Sequence, residues 1–152
     1  MPADVKAMEA KLRQIFEENV PFNRVLGLKV ESIDPEATKL RFDMRPELIG
    51  NPRRQILHGG VISATLDVAA GFAVYMAVNK DRIVSSDVDR FPSIGTIDLR
   101  VDYLRPGQGK YFIATGRVVR LGNRVAVAHT ELENDIGELI ATGGAAYMIS
   151  SS

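Results

Sequence analysis

The sequence predicts an α+β domain: an antiparallel sheet of about six strands wrapped around one long central helix, with an amphipathic helix at the amino terminus. Three observations carry this. The stretch His58–Val78 contains one charged residue, Asp67, and apolar residues fall on nearly every side of its helical wheel, the pattern of a helix enclosed by other structure. Two segments before it and four after it alternate apolar and polar residues, the period of half-buried strands. Gly, Pro, Asn and Asp separate those segments, as turns require.

In chain order, Asp4–Asn19 places Val5, Met8, Leu12, Ile15 and Phe16 at helical spacing with charges between them. This predicts an amphipathic helix on the surface of the core, entered through Pro2–Asp4 and ended before Pro21. Leu28–Ile33 and Thr38–Met44 read as two strands joined by the turn Asp34-Pro35-Glu36-Ala37. Pro46–Leu57 reads as a loop holding the polar cluster Asn51, Pro52, Arg53, Arg54 and Gln55.

The long helix follows. Val61, Ile62, Leu66, Val68, Phe72 and Val74 are its core-facing residues. Gly60, Ser63, Ala64, Asp67, Ala70 and Gly71 recur at three- and four-residue spacing and form a small, polar stripe on one face. Something approaches the backbone closely there. A carboxylate removed from water without a partner costs several kcal/mol, so Asp67 either meets donors from a neighbouring strand or water, or serves as a base or nucleophile in a dry cleft. His58-Gly59-Gly60 opens the helix, and the unbonded N–H groups of a first helical turn suit a polarised carbonyl oxygen. Asp67 stands eight residues beyond Gly59, roughly 12 Å along the axis. One helix therefore serves one reacting carbon only if the substrate bridges that gap or a second chain supplies the other half.

Asn79–Pro92 is a charged connection, a lid or plain surface. From Ile94 the period is two: Ile97, Leu99, Val101 and Tyr103 point one way, Asp98, Arg100 and Asp102 the other. Parity groups Thr96 with Asp98 and Arg100, away from the helix, so only a bulge or another subunit would bring it to the site. Tyr111–Leu121, Val125–Leu132 and Leu139–Ile149 follow, and these four strands are expected to form a consecutive meander.

Composition narrows the function. The 152 residues, 45% hydrophobic and free of low-complexity segments or repeats, form a single domain spanning 1–152. A net charge of zero and a pI of about 6.7 argue against a nucleic-acid partner. No signal peptide stands at the amino terminus, and no membrane span is expected outside the Asp-containing helix, which makes the cytoplasm the expected location. Without cysteine there is no disulfide or thiolate, and His58 and His129 are the only imidazoles, so no metal or other cofactor is expected. The Gly-x-Ser-x-Gly elbow of α/β hydrolases and a phosphate loop are both missing.

Gly50-Asn51, Ile56-Leu57-His58-Gly59-Gly60-Val61, Leu66-Asp67-Val68-Ala69-Ala70-Gly71 and Gly95-Thr96-Ile97-Asp98-Leu99-Arg100-Val101-Asp102-Tyr103-Leu104-Arg105-Pro106-Gly107 together resemble the hotdog-fold acyl-CoA thioesterases of the PaaI-like group, in particular the bacterial YigI-like thioesterases. The likeness covers Pro21 to Met148. It implies a sheet curled around the central helix and a homodimer, or a dimer of dimers, in which two sheets join edge to edge. By position, it implies that Asp67 is the catalytic carboxylate and that the Gly59 N–H polarises the thioester carbonyl. Asn51 and His58 match the polar pair that orients nucleophile and carbonyl, and Thr96 falls where relatives carry Ser or Thr near the site. Carboxylate and N–H donor then come from different subunits. Gly60, Ser63 and Ala64 would line the substrate, with room for the acyl chain beside Ala64, Ala70 and Gly71. Arg54, Arg105 and Arg124 are offered to the phosphates of CoA. The implied reaction is hydrolysis of a medium- or long-chain acyl-CoA to free acid and CoA. A hotdog enoyl-acyl dehydratase or hydratase and a non-catalytic acyl-CoA-binding sensor are the alternatives.

Overall fold

A helix that is apolar on almost every face must be covered on almost every face, and the sheet does most of that covering. The computed structural model describes residues 3–80 and 93–150. The Pro2 entry to the first helix and residues 81–92 of the expected lid or surface connection lie outside them.

The amino-terminal segment is three pieces. Helix α1 (Ala3–Arg13) runs into a π-helical turn, Gln14–Asn19, and Pro21 then starts a second helix, α2 (Pro21–Leu26), instead of ending the helical segment. Proline fits there because the first residue of a helix has no intrahelical use for its N–H. Gly27 closes α2 in the left-handed region, at φ 71°, with its N–H donated to the Arg24 carbonyl.

Strands β1 (Lys29–Ser32) and β2 (Thr38–Asp43) form the expected hairpin. The segment read as a loop is partly ordered: a 3-10 turn, Pro46–Leu48, leads into a small ladder of β3 (Ile49–Asn51) and β4 (Ile56–Leu57). Helix α3 (Gly59–Val78) comes next, with His58 as its N-cap. It is long and apolar enough to span a bilayer, yet 56% of its apolar window is enclosed within this domain.

The last four strands are β5 (Ser93–Tyr103), β6 (Tyr111–Leu121), β7 (Val125–Asn134) and β8 (Leu139–Ser150). The sheet order is β1-β2-β6-β7-β8-β5. This corrects the expected four-strand meander. Strands β6, β7 and β8 do follow one another, but β5 lies at the far edge against β8 and β6 pairs with β2. The reason is the connection after Tyr103: the Leu104 and Arg105 N–H groups both bond the Ile140 carbonyl, and Arg105–Lys110 then crosses the end of the sheet. A period-two pattern reports which residues face in; it carries no information on which strand lies next door.

The core forms between α3 and the inner face of the sheet. Leu66 and Phe72 of the helix meet Leu40, Phe42, Phe112, Leu132 and Ile140 in the larger cluster, and burying each such side chain contributes about 1.5–3 kcal/mol before the entropy of ordering is counted. Ala70 and Val74 meet Ala126, Ala128, Ala145 and Tyr147 in the smaller one. Val61 and Val68, also assigned to the core, are partly buried and packed against it. Ala70 is fully buried, so it leaves no room for an acyl chain, contrary to expectation. The small residues let the helix come very close. A Cβ built on Gly116 of β6 would lie 2.3 Å from the Ala69 carbonyl oxygen of α3.

Gly116→Ala is therefore expected to push helix and strand apart. We expect a loss of about 2 kcal/mol or more, as for other overpacked cores, seen as a fall of about 4–8 °C in Tm by calorimetry. An unchanged Tm would contradict the close packing described.

Candidate functional site

Most of the stripe of small and polar residues on α3, the buried Ala70 excepted, lies on the side of the helix the sheet leaves partly open. Its half-buried Asp67 carboxylate is the centre of a hydrogen-bonded cluster. Asp67 Oδ1 accepts the Thr96 hydroxyl at 2.9 Å and the Tyr147 phenol at 2.5 Å. The phenol also lies 2.5 Å from the Asp67 main-chain oxygen.

Thr96 reaches the carboxylate because strand β5 is bulged. Thr96 pairs with Tyr147 and the next pair is Asp98 with Ala146, so Ile97 is the extra residue. The bulge reverses parity at that point. Thr96 turns toward the helix, whereas Ile97, grouped by simple alternation with Leu99 and Val101, is 56% exposed. Asp98 holds the bulge in place by accepting the Ala146 N–H at 3.0 Å.

Tyr147 was not identified from the sequence. Its ring stands against Gly71, where an added Cβ would meet Cε1 at 3.4 Å, and its side chain is nearly enclosed. Burial foremost, then the hydrogen bond to Asp67 and the carboxylate's charge, push the phenol well above its usual range. It therefore remains a neutral donor to the carboxylate. The available signal was a lone tyrosine among the small residues Gly143, Gly144, Ala145 and Ala146 of β8, a buried ring needing a hydroxyl partner.

The start of α3 forms a second group. His58 Nδ1 accepts the Gly60 N–H at 2.8 Å, which satisfies one orphan donor and leaves the proton of the neutral imidazole on Nε2. Gly59 is the first helical residue, and its N–H precedes any intrahelical acceptor. Its carbonyl accepts the Tyr103 hydroxyl at 2.9 Å, which pins the first turn to β5. Ser63 Oγ donates to the Gly60 carbonyl at 3.2 Å, while Ala64 is packed against the core. Asn51 Oδ1 accepts the Arg53 and Arg54 N–H groups and so shapes the turn before β4. The Gly50 backbone lies against His58: a Cβ there would sit 2.5 Å from the His58 Cα.

The three arginines separate. Arg54 and Arg105 flank the helix start. The Arg54 carbonyl accepts the Gln108 amide, and the Arg105 guanidinium bonds the Leu139 carbonyl at 3.0 Å. Arg124 is at the opposite end of the sheet, in the turn between β6 and β7, where its carbonyl accepts the Ile149 N–H.

The chain thus brings Asp67 together with Thr96, and Gly50, His58, Gly59, Gly60 and Ser63 with one another, while the Asn51 side chain is engaged in its own turn. It does not join the two groups, which stand about two helical turns apart on one helix.

A family model described as the thioesterase superfamily matches residues 54–141. The chain is 45% identical over 139 residues to the medium/long-chain acyl-CoA thioesterase YigI of Escherichia coli strain K12, covering 90% of each chain. Among solved structures, it resembles a protein from Shewanella oneidensis related to the thioesterase superfamily, at TM-score 0.80 and 39% identity, over 99% of this chain and 100% of that one. It also shares its fold with a thioesterase from Haemophilus influenzae, at TM-score 0.78 and 15% identity, over 94% and 90% of the two chains. The family match spans the helix start, Asp67, Thr96 and much of the sheet, and the likeness to the Escherichia coli relative covers 90% of the chain, so the chain belongs to the thioesterase superfamily and has its hotdog fold.

Proposed function

We propose that the protein is an acyl-CoA thioesterase that hydrolyses medium- and long-chain substrates, working as a homodimer with sites shared between subunits. The observation that carries this reading is the Asp67 carboxylate: one oxygen is held by two hydroxyl donors, which leaves the other to act on water. The relative from Escherichia coli supports the substrate class.

A thioester carbonyl has little resonance to lose, so its carbon needs modest activation. The Gly59 N–H at the helix start donates to the carbonyl oxygen and to the oxyanion that follows. Asp67 Oδ2 takes a proton from water as the oxygen attacks the carbonyl carbon, and a tetrahedral intermediate forms. When the carbon–sulfur bond breaks, that proton passes to the CoA thiolate, and the free acid departs. Arg54 and Arg105, both exposed, would meet the CoA phosphates. The dehydratase alternative, hydration of an enoyl chain, would release no free thiol, so an assay of thiol release distinguishes the two reactions.

The separation of the two groups supports a site completed by a second chain, and β5 offers an edge for pairing. It is an eleven-residue strand at the sheet edge, bonded to β8 on one side. A long edge with exposed Ile97, Tyr103 and Leu104 is a template for pairing with another strand. Joining two such edges brings the Thr96-bearing strand of one subunit against that of the other.

Asp67→Asn should fold normally and lose about a hundredfold or more in kcat, the size expected for a lost general base. Turnover like that of the unmodified protein, with an unchanged circular dichroism spectrum, would refute the mechanism.

Tyr147→Phe removes a donor and keeps the ring. Charge-assisted bonds of this kind are worth about 1.5–3 kcal/mol, so kcat should drop about tenfold or more while KM moves little. An equal rise in KM with kcat intact would assign Tyr147 to substrate binding instead.

Mixed dimers test the shared site. Gly59→Pro deletes the N–H donor at a position that accepts proline, because Gly59 is the first helical residue and His58 is already extended, at φ −64° and ψ 137°. A dimer of one Gly59→Pro chain and one Asp67→Asn chain has one doubly damaged site and one intact site. Activity should return toward half of the normal level per mixed dimer; verified mixed dimers as inactive as both parents would rule sharing out.

A further inference from the structure

The open side of α3 does not end at Asp67. A groove of about 240 Å³ runs from the carboxylate past Val68 and Gly71 to Tyr75, and its opposite wall is Phe16 and Val20 of the amino-terminal segment. Positions 67, 71 and 75 are one helix face, two turns or roughly 12 Å long. That is about the length of three extended residues, or roughly ten chain atoms.

Beyond the carboxylate the lining is mostly apolar, with Phe16, Val20, Val68, Gly71 and Ile94 beside the rings of Tyr75 and Tyr147, and Asn23 is its one amide. Gly71 keeps the middle open, since a Cβ there would already touch the Tyr147 ring at 3.4 Å and any longer side chain would occupy the groove. Phe16 packs at the far end, its ring centroid 4.4 Å from Phe72 and 5.4 Å from Tyr75. It sits on the π-helical turn Gln14–Asn19, a conformation that is rare and recurs at functional sites. That turn is anchored: the buried Asn23 donates its amide to the Phe16 carbonyl at 2.9 Å, and the Leu28 N–H bonds the Asn23 carbonyl. A fixed aromatic ring at the end of a narrow, mostly apolar groove suits an unbranched hydrocarbon chain.

We propose that this groove is the acyl-chain site and that the amino-terminal segment, through Phe16 and Val20, sets the chain length accepted. The inference rests on the thioesterase reading and adds the part of the chain that measures the substrate. A straight chain of about eight to ten carbons fills the groove from carboxylate to ring.

The test is kcat/KM for acetyl-, butyryl-, octanoyl-, decanoyl- and tetradecanoyl-CoA with the unmodified protein, Phe16→Ala and Val20→Trp. Phe16→Ala, which opens the far end, should raise the ratio of tetradecanoyl to octanoyl turnover about fivefold or more. Val20→Trp narrows the groove at a 38% exposed position, so it keeps the fold even if Phe16→Ala does not. It should cut decanoyl and tetradecanoyl turnover at least about tenfold relative to butyryl turnover, since the longer chains lose the burial of their end methylenes. Unaltered chain-length profiles in folded, active variants would overturn the inference while leaving the thioesterase reading intact. If the unmodified protein released no thiol from any acyl-CoA, that reading would fail instead. Calorimetric binding of a non-hydrolysable octanoyl-CoA thioether would then decide the groove, with Val20→Trp expected to weaken it about tenfold and equal affinity overturning it.

Discussion

The structure depends on how closely helix α3 approaches the sheet. A helix with a single charge gains by burying as much of the rest of itself as it can, and small residues set how near it can come: Gly116 lies under the Ala69 carbonyl, and Ala126, Ala128 and Ala145 line the sheet beneath Ala70 and Val74. The same closeness makes the site. With no side chain at Gly71, the Tyr147 ring can lie against the helix and its hydroxyl can reach Asp67, one turn back. Packing and chemistry thus share a cause, since a wider gap would move the phenol out of hydrogen-bonding range.

Asp67 shows how a charge is kept on an apolar helix. The carboxylate stays at the partly open face, so it is not fully desolvated, and two hydroxyls satisfy one of its oxygens. Both donors are neutral. Tyr147 is held in its neutral form by burial and by the carboxylate itself, so it orients Asp67 without cancelling its charge. A lysine or arginine in that place would form an ion pair and compete with the substrate for the carboxylate. The β5 bulge completes the arrangement by turning one polar side chain inward on a strand whose core-packing residues, Ile94, Leu99 and Val101, are apolar.

The amino-terminal segment has a double part. Leu12 is fully buried and Phe16 packs against the core, which closes the side of α3 that the sheet does not reach. Its π-helical turn and the break at Pro21 let it bend around α3 instead of lying straight across it. The bend leaves a groove beside the carboxylate where a straight helix would leave either a gap or a contact. Arg13 secures it from behind, bonded to Glu9, to Glu17 and to the Val30 carbonyl.

Much of this was legible in the residues. The apolar run with a single Asp fixed the central helix and its enclosure, alternation marked the strands, and His58-Gly59-Gly60 marked the helix start, because each is a local pattern with a period or a cap. The two-turn gap between Gly59 and Asp67 already separated the halves of the site, since rise per residue is a property of any helix. Three things were decided only by tertiary structure. The strand order came from a connection that crosses the end of the sheet, which no strand's own pattern encodes. Thr96 faces Asp67 only because Ile97 is an extra residue against its partner strand, and a bulge is a relation between two strands. Tyr147 reaches Asp67 across eighty positions of sequence, through a contact that exists only when Gly71 and β8 are brought together.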